Sequence, residues 1–243
     1  MQLYVFPISH FSEKARWACD HHGVAYTLVR CVPGPHVATM KRLGVKRTTV
    51  PVLTHADGPP IQGSGRIIAH LDALSPERSL TPADDSWQAI EKRADRDLGE
   101  ALRRILYAEM MTREAVIPLW TQDAPWWSTP LMQLVFPLMK AQITKGYKLH
   151  PTDVAEAKLA FEAAWVDLEA QLGERRYLLE DRLTRADIAV ASLLGPLVMP
   201  AQHPFPFRQH TLPAALEPFI AQYRGRPLWR YVERLYAEER QRA

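Results

Sequence analysis

The chain opens on a short apolar run, Leu3 to Phe6, whose valine and aromatics suit a buried strand. Pro7 breaks that run, and Ser9, His10, Phe11 and Ser12 form a polar elbow. Helix-favouring residues follow from Glu13 and stop at Gly23. Tyr26 to Cys31 alternates as a second strand. A turn at Val32-Pro33-Gly34-Pro35 then leads to a short helix from His36 to Leu43, closed by Gly44. Thr49 to Leu53 reads as a strand entered through Pro51, Asp57-Gly58 as a hairpin turn, and Ile61 as the centre of a short strand. Ser64 to Leu74 is amphipathic, with Ile67, Ile68 and Leu71 on one face. Strands and helices alternating over this length predict an α/β domain at residues 1–76.

Ser75 to Asp85 holds two prolines and little apolar content, so a linker is expected at 77–85. Beyond it, over 86–243, the patterning is helical throughout. Ile90, Leu98, Leu102, Ile105, Leu106 and Met110 recur at helical spacing between Ala89 and Met111. Prolines are frequent and aromatics dense between Pro118 and Pro137. A strong stripe runs from Val154 through Phe161 and Trp165 to Leu172. Leu183-Thr184-Arg185-Ala186-Asp187-Ile188 is a helix start with a mechanism: Thr184 caps, Asp187 reaches back as its acidic partner, and Leu183 staples onto Ile188. The following helix, Ile188 to Leu197, is apolar nearly all round and must lie centrally in its domain. Pro200 to Pro213 is a proline-rich loop, and two further helices follow.

Composition narrows the function classes. Hydrophobic residues make up 47% and charged ones 23% of the 243 residues, the profile of a soluble globular protein. The net charge of +3 is spread without a basic block, so neither nucleic acid nor a membrane surface is expected as a partner. No apolar run approaches the ~20 residues of a membrane span. Two cysteines, Cys19 and Cys31, are too few for a disulfide framework and suit a cytoplasmic location. No metal site is expected.

The elbow carries the candidate chemistry. A strand that feeds an elbow and then a helix points the helix's free N–H groups at whatever occupies the elbow, and such an end favours an anion. A thiolate is one such anion. Ser9 and Ser12 stand at the spacing of a C-x-x-C pair with hydroxyls in place of both sulfurs, which removes redox chemistry and keeps two donors. Either serine could equally be a helix cap. His10, a lone loop histidine, is read as a solvated side chain, and the two cysteines as small packing residues.

At this point the chain resembles the glutathione transferase superfamily over essentially its whole length. Four segments carry the resemblance: the elbow SHFSEKARW, the pair Val50-Pro51, the segment GSGRIIAHLD from Gly63 to Asp72, and the box Thr184 to Asp187. The resemblance implies a thioredoxin-like α/β N-terminal domain followed by an all-α helical bundle. It also implies a catalytic serine fourteen residues before the glycine closing the first helix, a count that from Gly23 lands on Ser9, with Ser12 as the alternative. Glutathione would be the co-substrate, held by Ser9, by Val50 beside a cis Pro51, and by Gly63 and Ser64. The aromatic region of the second domain would supply an electrophile pocket, with Tyr107, Met111, Trp120 and Trp127 as candidates. A homodimer is implied, as is a small hydrophobic second substrate.

Three positions depart from the family's usual residues: Gly63 replaces a Glu or Gln, Thr49 a Lys or Gln, and His70 a Tyr. Lys46, Arg47 or His36 could replace the missing polar contacts. The expected activity is conjugation of glutathione to a hydrophobic electrophile. A glutathione-dependent isomerase or ether-cleaving lyase, or a non-catalytic glutathione-binding relative, are the alternatives. A thiol-disulfide oxidoreductase is disfavoured because neither elbow position is Cys.

Overall fold

The computed structural model describes residues 1–240. Its first domain is thioredoxin-like, a four-stranded sheet carrying three helices. The elements run β1 (Gln2–Val5), α1 (His10–His21), β2 (Thr27–Arg30), α2 (His36–Arg42), β3 (Val52–Thr54), β4 (Ile61–Gln62) and α3 (Ser64–Leu74). The sheet order is β2-β1-β3-β4, with β1 parallel to β2 and antiparallel to β3, and β3 antiparallel to β4. Leu3 and Leu53 face each other across β1 and β3, and both are fully buried. Ile67, Ile68 and Leu71 of α3 join them in the same core, as the amphipathic pattern requires.

All later elements among the described residues are helical. Besides three short 3-10 turns (Pro76–Arg78, Phe207–Gln209 and Ala214–Leu216), they are α4 (Ser86–Arg93), a π-helical segment (Ala94–Glu100), α5 (Ala101–Met110), α6 (Arg113–Trp120), α7 (Ser128–Gly146), α8 (Pro151–Leu172), α9 (Arg185–Val198), α10 (Glu217–Ala221) and α11 (Pro227–Glu238). The helix expected at Ala89–Met111 thus starts at Ser86 and is widened midway by one π segment. The proline- and aromatic-rich stretch is itself helical: Pro118 lies inside α6 and Pro137 inside α7. Both prolines are exposed, so the carbonyls they leave unpaired can be hydrated.

Every residue of α9 is buried, and the helix packs against α1, the π segment and α11. It is therefore the post on which the two domains meet. Its start is the expected box: the Thr184 N–H donates to Asp187 Oδ2 at 2.7 Å, and the Thr184 hydroxyl lies 2.6 Å from the same oxygen. Asp187 Oδ1 also accepts from the Leu178 N–H at 2.8 Å and the Tyr231 hydroxyl at 2.5 Å. The box thus ties α9 to α11 and to the loop before it. Among the described residues, no helix is long and apolar enough to cross a membrane.

Candidate active site

The elbow forms because Pro7 ends the strand and Ser9 starts the helix. The Ser9 N–H reaches back to the Phe6 carbonyl at 2.9 Å, with Ser9 in an extended conformation. Its Oγ accepts from the Ser12 N–H at 3.3 Å, so Ser9 is the N-cap of α1. The helix therefore begins at His10, three residues before the Glu13 expected from composition. Capping does not use up the hydroxyl, because Oγ accepts from the backbone while its own proton remains available. An N–H donated to that oxygen also polarises the O–H bond.

The two elbow serines face different surroundings. Ser9 is half-buried at the helix mouth. Ser12 is only 3% exposed, its hydroxyl has no hydrogen-bond partner, and it lines a cavity of about 40 Å³ together with Glu13, Arg16 and Arg30. The residues of the expected glutathione site do not border that cavity.

Four of the five glutathione candidates, Val50, Pro51, Gly63 and Ser64, line a large open cavity of about 1190 Å³ together with Phe11 of the elbow; Ser9, two residues before Phe11, does not itself border it. The Val50–Pro51 peptide is cis, and the Pro51 carbonyl accepts from the Gly63 N–H at 3.0 Å. That bond fixes the start of α3 against the cis turn. Gly63 has a φ of +99°, a backbone conformation that glycine adopts without strain and a side chain resists. The glycine in place of the usual Glu or Gln thus fits the backbone while removing a polar side chain. Ser64, the first residue of α3, is buried at the helix's positive end.

Of the three possible substitutes for the missing polar contacts, Lys46 and Arg47 border the cavity. His36 Nε2 is instead engaged with the Thr48 carbonyl at 2.8 Å. His70 packs at a tilt against His55 with ring centroids 4.8 Å apart and does not border the cavity. Gln62 lines it too, donating to the carbonyls of Arg47 at 2.7 Å and Thr49 at 2.8 Å and so shaping the loop that leads to Pro51.

The cavity's far wall comes from the helical domain and carries charges that sequence reading missed. Lys14 of α1, fully buried, bridges Glu91 at 2.8 Å and Asp95 at 2.6 Å. Arg185 of α9 completes the cluster by pairing with Glu91 at 2.7 Å and donating to the Gly65 carbonyl at 3.1 Å. Burial would raise the Glu91 carboxyl, but Lys14 and Arg185 outweigh it and hold the group below the usual carboxylate range. With Glu91 and Asp95 paired, Lys46, Arg47, Arg66 and Lys92 outnumber the remaining wall carboxylate, Glu100, and leave the cavity predominantly cationic. Such a cavity suits a ligand with more than one carboxylate.

The four electrophile-pocket candidates separate. Tyr107 lines an enclosed cavity of about 30 Å³ beside Ile8 and His10. Its hydroxyl accepts from Trp120 Nε1 at 3.1 Å. Met111 and Trp120 are buried in an apolar cluster with Val116, Met132 and Phe136, where they seat α6 and α7. Trp127 stands partly exposed at the start of α7. His10, expected in solvent, is buried. The two cysteines are free and buried, as expected of packing residues; burial pushes the Cys19 thiol up to about 12 and the Cys31 thiol up to about 11.

Residues 3–79 match the family model described as glutathione S-transferase, N-terminal domain. A search of curated protein sequences returns no match. Several solved structures share the fold over nearly the whole chain. The β-etherase LigF from Sphingobium sp. strain SYK-6 has 20% identity and a TM-score of 0.62, covering 95% of this chain and 97% of that one. The glutathione transferase GSTFuA3 from Phanerochaete chrysosporium has 17% identity and a TM-score of 0.66, covering 97% and 95%. CsGST63524 of Ceriporiopsis subvermispora, solved in complex with glutathione, has 17% identity and a TM-score of 0.64, covering 100% and 98%.

Proposed function

From the premise that this chain carries the glutathione S-transferase N-terminal domain on the glutathione transferase fold, we propose that it binds glutathione and activates its thiol. The observation that supports this most is the cationic cavity bordered by Val50, cis Pro51, Gly63 and Ser64. The backbone at Val50 offers strand-like hydrogen bonds to an extended peptide. Ser64 and the first N–H groups of α3 receive a carboxylate, and Lys46 and Arg47 lie where a second carboxylate can reach them.

Ser9 is the thiol activator in this reading. Its free proton donates to the sulfur while the start of α1 adds positive potential. Free thiols titrate near ~8.5, and a two-unit depression corresponds to roughly 2.7 kcal/mol of thiolate stabilisation. One hydrogen bond to a charged group plus a helix terminus supplies that order of energy. The thiol proton leaves to solvent, the thiolate attacks an electrophilic carbon to form a C–S bond, and the leaving group departs with its electron pair. The protein's further share is to place the two reactants in contact. Conjugation to a small hydrophobic electrophile, in a cytoplasmic homodimer, completes the proposal. Thiol-disulfide exchange has no thiol at the elbow to carry it.

Calorimetry with glutathione, followed by ultraviolet titration of the bound thiolate, tests this. Ser9→Ala is expected to raise the bound thiol's pKa by about one to two units and to slow turnover roughly tenfold to a hundredfold at neutral pH. Raising the pH recovers much of that loss. Ser12→Ala leaves the titration in place. Absence of glutathione binding, or a Ser9→Ala titration superimposable on the parent's, overturns the assignment.

A further inference from the structure

Of the eight large apolar side chains exposed among the described residues, four lie close together in the chain: Trp126 (87%), Leu134 (79%), Leu138 (61%) and Trp127 (39%). Trp127, Leu131, Leu134 and Leu138 follow one another by four, three and four residues, the spacing of a single helix side. The other side of α7 carries Met132 and Phe136, buried in the apolar cluster with α6 that Ile8 also joins. Helix α7 is thus apolar on two sides and covered on one. A scattered apolar residue on a surface is ordinary, whereas a continuous exposed stripe marks a docking face.

Charge indicates what covers it. Between Asp123 and Asp153 the chain has no Asp or Glu, although it holds 27 of them in 243 residues. The same stretch carries Lys140, Lys145 and Lys148, all exposed. Lys145 continues the apolar stripe two turns beyond Leu138, and Lys140 flanks it. On the neighbouring α6, Arg113 and Glu114 offset one another. A second copy docked symmetrically, α7 on α7, would bring lysines to lysines with no carboxylate from either helix between them. An anionic lipid surface takes up apolar side chains, seats indoles at its headgroup level and attracts lysines. The expectation against a membrane surface rests on the charge of the whole chain, in which a short stretch of one sign is invisible.

We propose that the outer side of α7 is a peripheral docking face for an anionic membrane. Leu134, Leu138 and the two indoles enter the headgroup region, and Lys140 and Lys145 meet the lipid phosphates. The helix lies along the surface without crossing it, in keeping with the absence of a membrane-crossing helix among the described residues. The face is separate from the cationic cavity, whose lining includes no residue of α7, so docking leaves the cavity free for its own ligand.

Co-sedimentation with vesicles tests this, using phosphatidylcholine alone and an equimolar mixture with phosphatidylglycerol. The mixed vesicles are expected to bind at least about tenfold more protein at low ionic strength, an excess that added salt removes. Leu134→Ser with Leu138→Ser should lower binding to the mixed vesicles at least about tenfold. Lys140→Gln with Lys145→Gln should remove the preference for them. Leu159→Ser, at an exposed leucine of α8, should change neither. Glutathione affinity should stay at the parent's value in every variant, since none of these residues lines the cavity. Equal binding to the two vesicle types, no binding to either, or binding that survives the leucine pair overturns the proposal. A dimer in sedimentation velocity that the leucine pair converts to monomer assigns the face to a second copy and overturns it too. So does binding of polyglutamate that matches vesicle binding and ignores the leucine pair, which assigns the lysines to an acidic protein.

Discussion

The tip of the Phe11 ring, its Cζ, stands 2.9 Å from the point a Cβ on Gly99 would occupy, and Leu193 Cδ2 stands 2.8 Å from that same point. Gly99 lies in the π segment, where the helix widens against the elbow and α9. The helical domain thus leaves space at that position for the residue two places after Ser9. Gly99→Ala should destabilise the protein by about 1–3 kcal/mol through overpacking and should weaken glutathione binding by shifting the elbow. Chemical denaturation and calorimetry check the two effects. An alanine variant identical to the parent in both would mean that the elbow does not depend on this contact.

Asp187 should matter more than a helix cap alone. Its carboxylate lies within hydrogen-bond distance of four donors, from Thr184 twice, Leu178 and Tyr231, and it is fully buried. Asp187→Ala leaves those groups unpaired and should cost about 3 kcal/mol or more, whereas Tyr231→Phe removes one bond and should cost about 1 kcal/mol. Equilibrium denaturation of both variants gives the comparison. Equal losses would show that the Tyr231 bond, not the box, carries the energy.

Ser64→Ala should raise the dissociation constant of glutathione about tenfold while leaving turnover of the bound complex within about twofold. Ser64 sits at the start of α3, whereas the sulfur is assigned to Ser9 at the start of α1. A split between KM and kcat in steady-state kinetics reads this directly. A fall in kcat with an unchanged KM would place Ser64 at the sulfur instead.

Acid should unfold the protein earlier than carboxylate titration alone predicts. Burial lowers His10 and His203 from about 6.5 to about 3, so the unfolded chain takes up two protons that the folded chain refuses. Stability is therefore fully present above about pH 6.5 and falls as the pH drops towards 3. Glu13, raised by burial, works in the opposite sense as the pH falls towards its ordinary value of 4.5. Urea midpoints measured at pH 7 and pH 5 for the parent and for His203→Gln check this. The variant should show the shallower decline, and parallel declines would remove His203 as a cause.

The local elements were legible because their causes are local. Helix α3 spans Ser64–Leu74 as its apolar face requires, and the Thr184–Asp187 box forms as its spacing requires. Helix α1 starts early because Ser9 is the cap, a choice that two serines three apart leave open. The π segment has no signature in hydrophobic spacing; it lies where Phe11 and Leu193 close on Gly99, a tertiary contact. The charged wall was equally hidden. Lys14, Glu91, Asp95 and Arg185 come from three separate stretches, and each alone reads as an ordinary helical surface position. Trp120 and Met111 lie in an apolar cluster that sequence could not separate from a pocket wall, since aromatic and sulfur side chains suit a ligand wall and a core alike.

The Lys14 ammonium has a further consequence for how the chain can be divided. Its two counter-charges, Glu91 and Asp95, both belong to the helical domain, while Lys14 itself belongs to the sheet domain and is fully buried. Expressed without its helices, the sheet domain would lose both carboxylates that neutralise this charge. Grafted onto a foreign bundle, it would carry the same unmatched cation into the new seam, where a lone buried charge costs several kcal/mol. The two halves are therefore bound to melt as one cooperative unit, and recombination between relatives is confined to those that keep both carboxylates opposite the lysine.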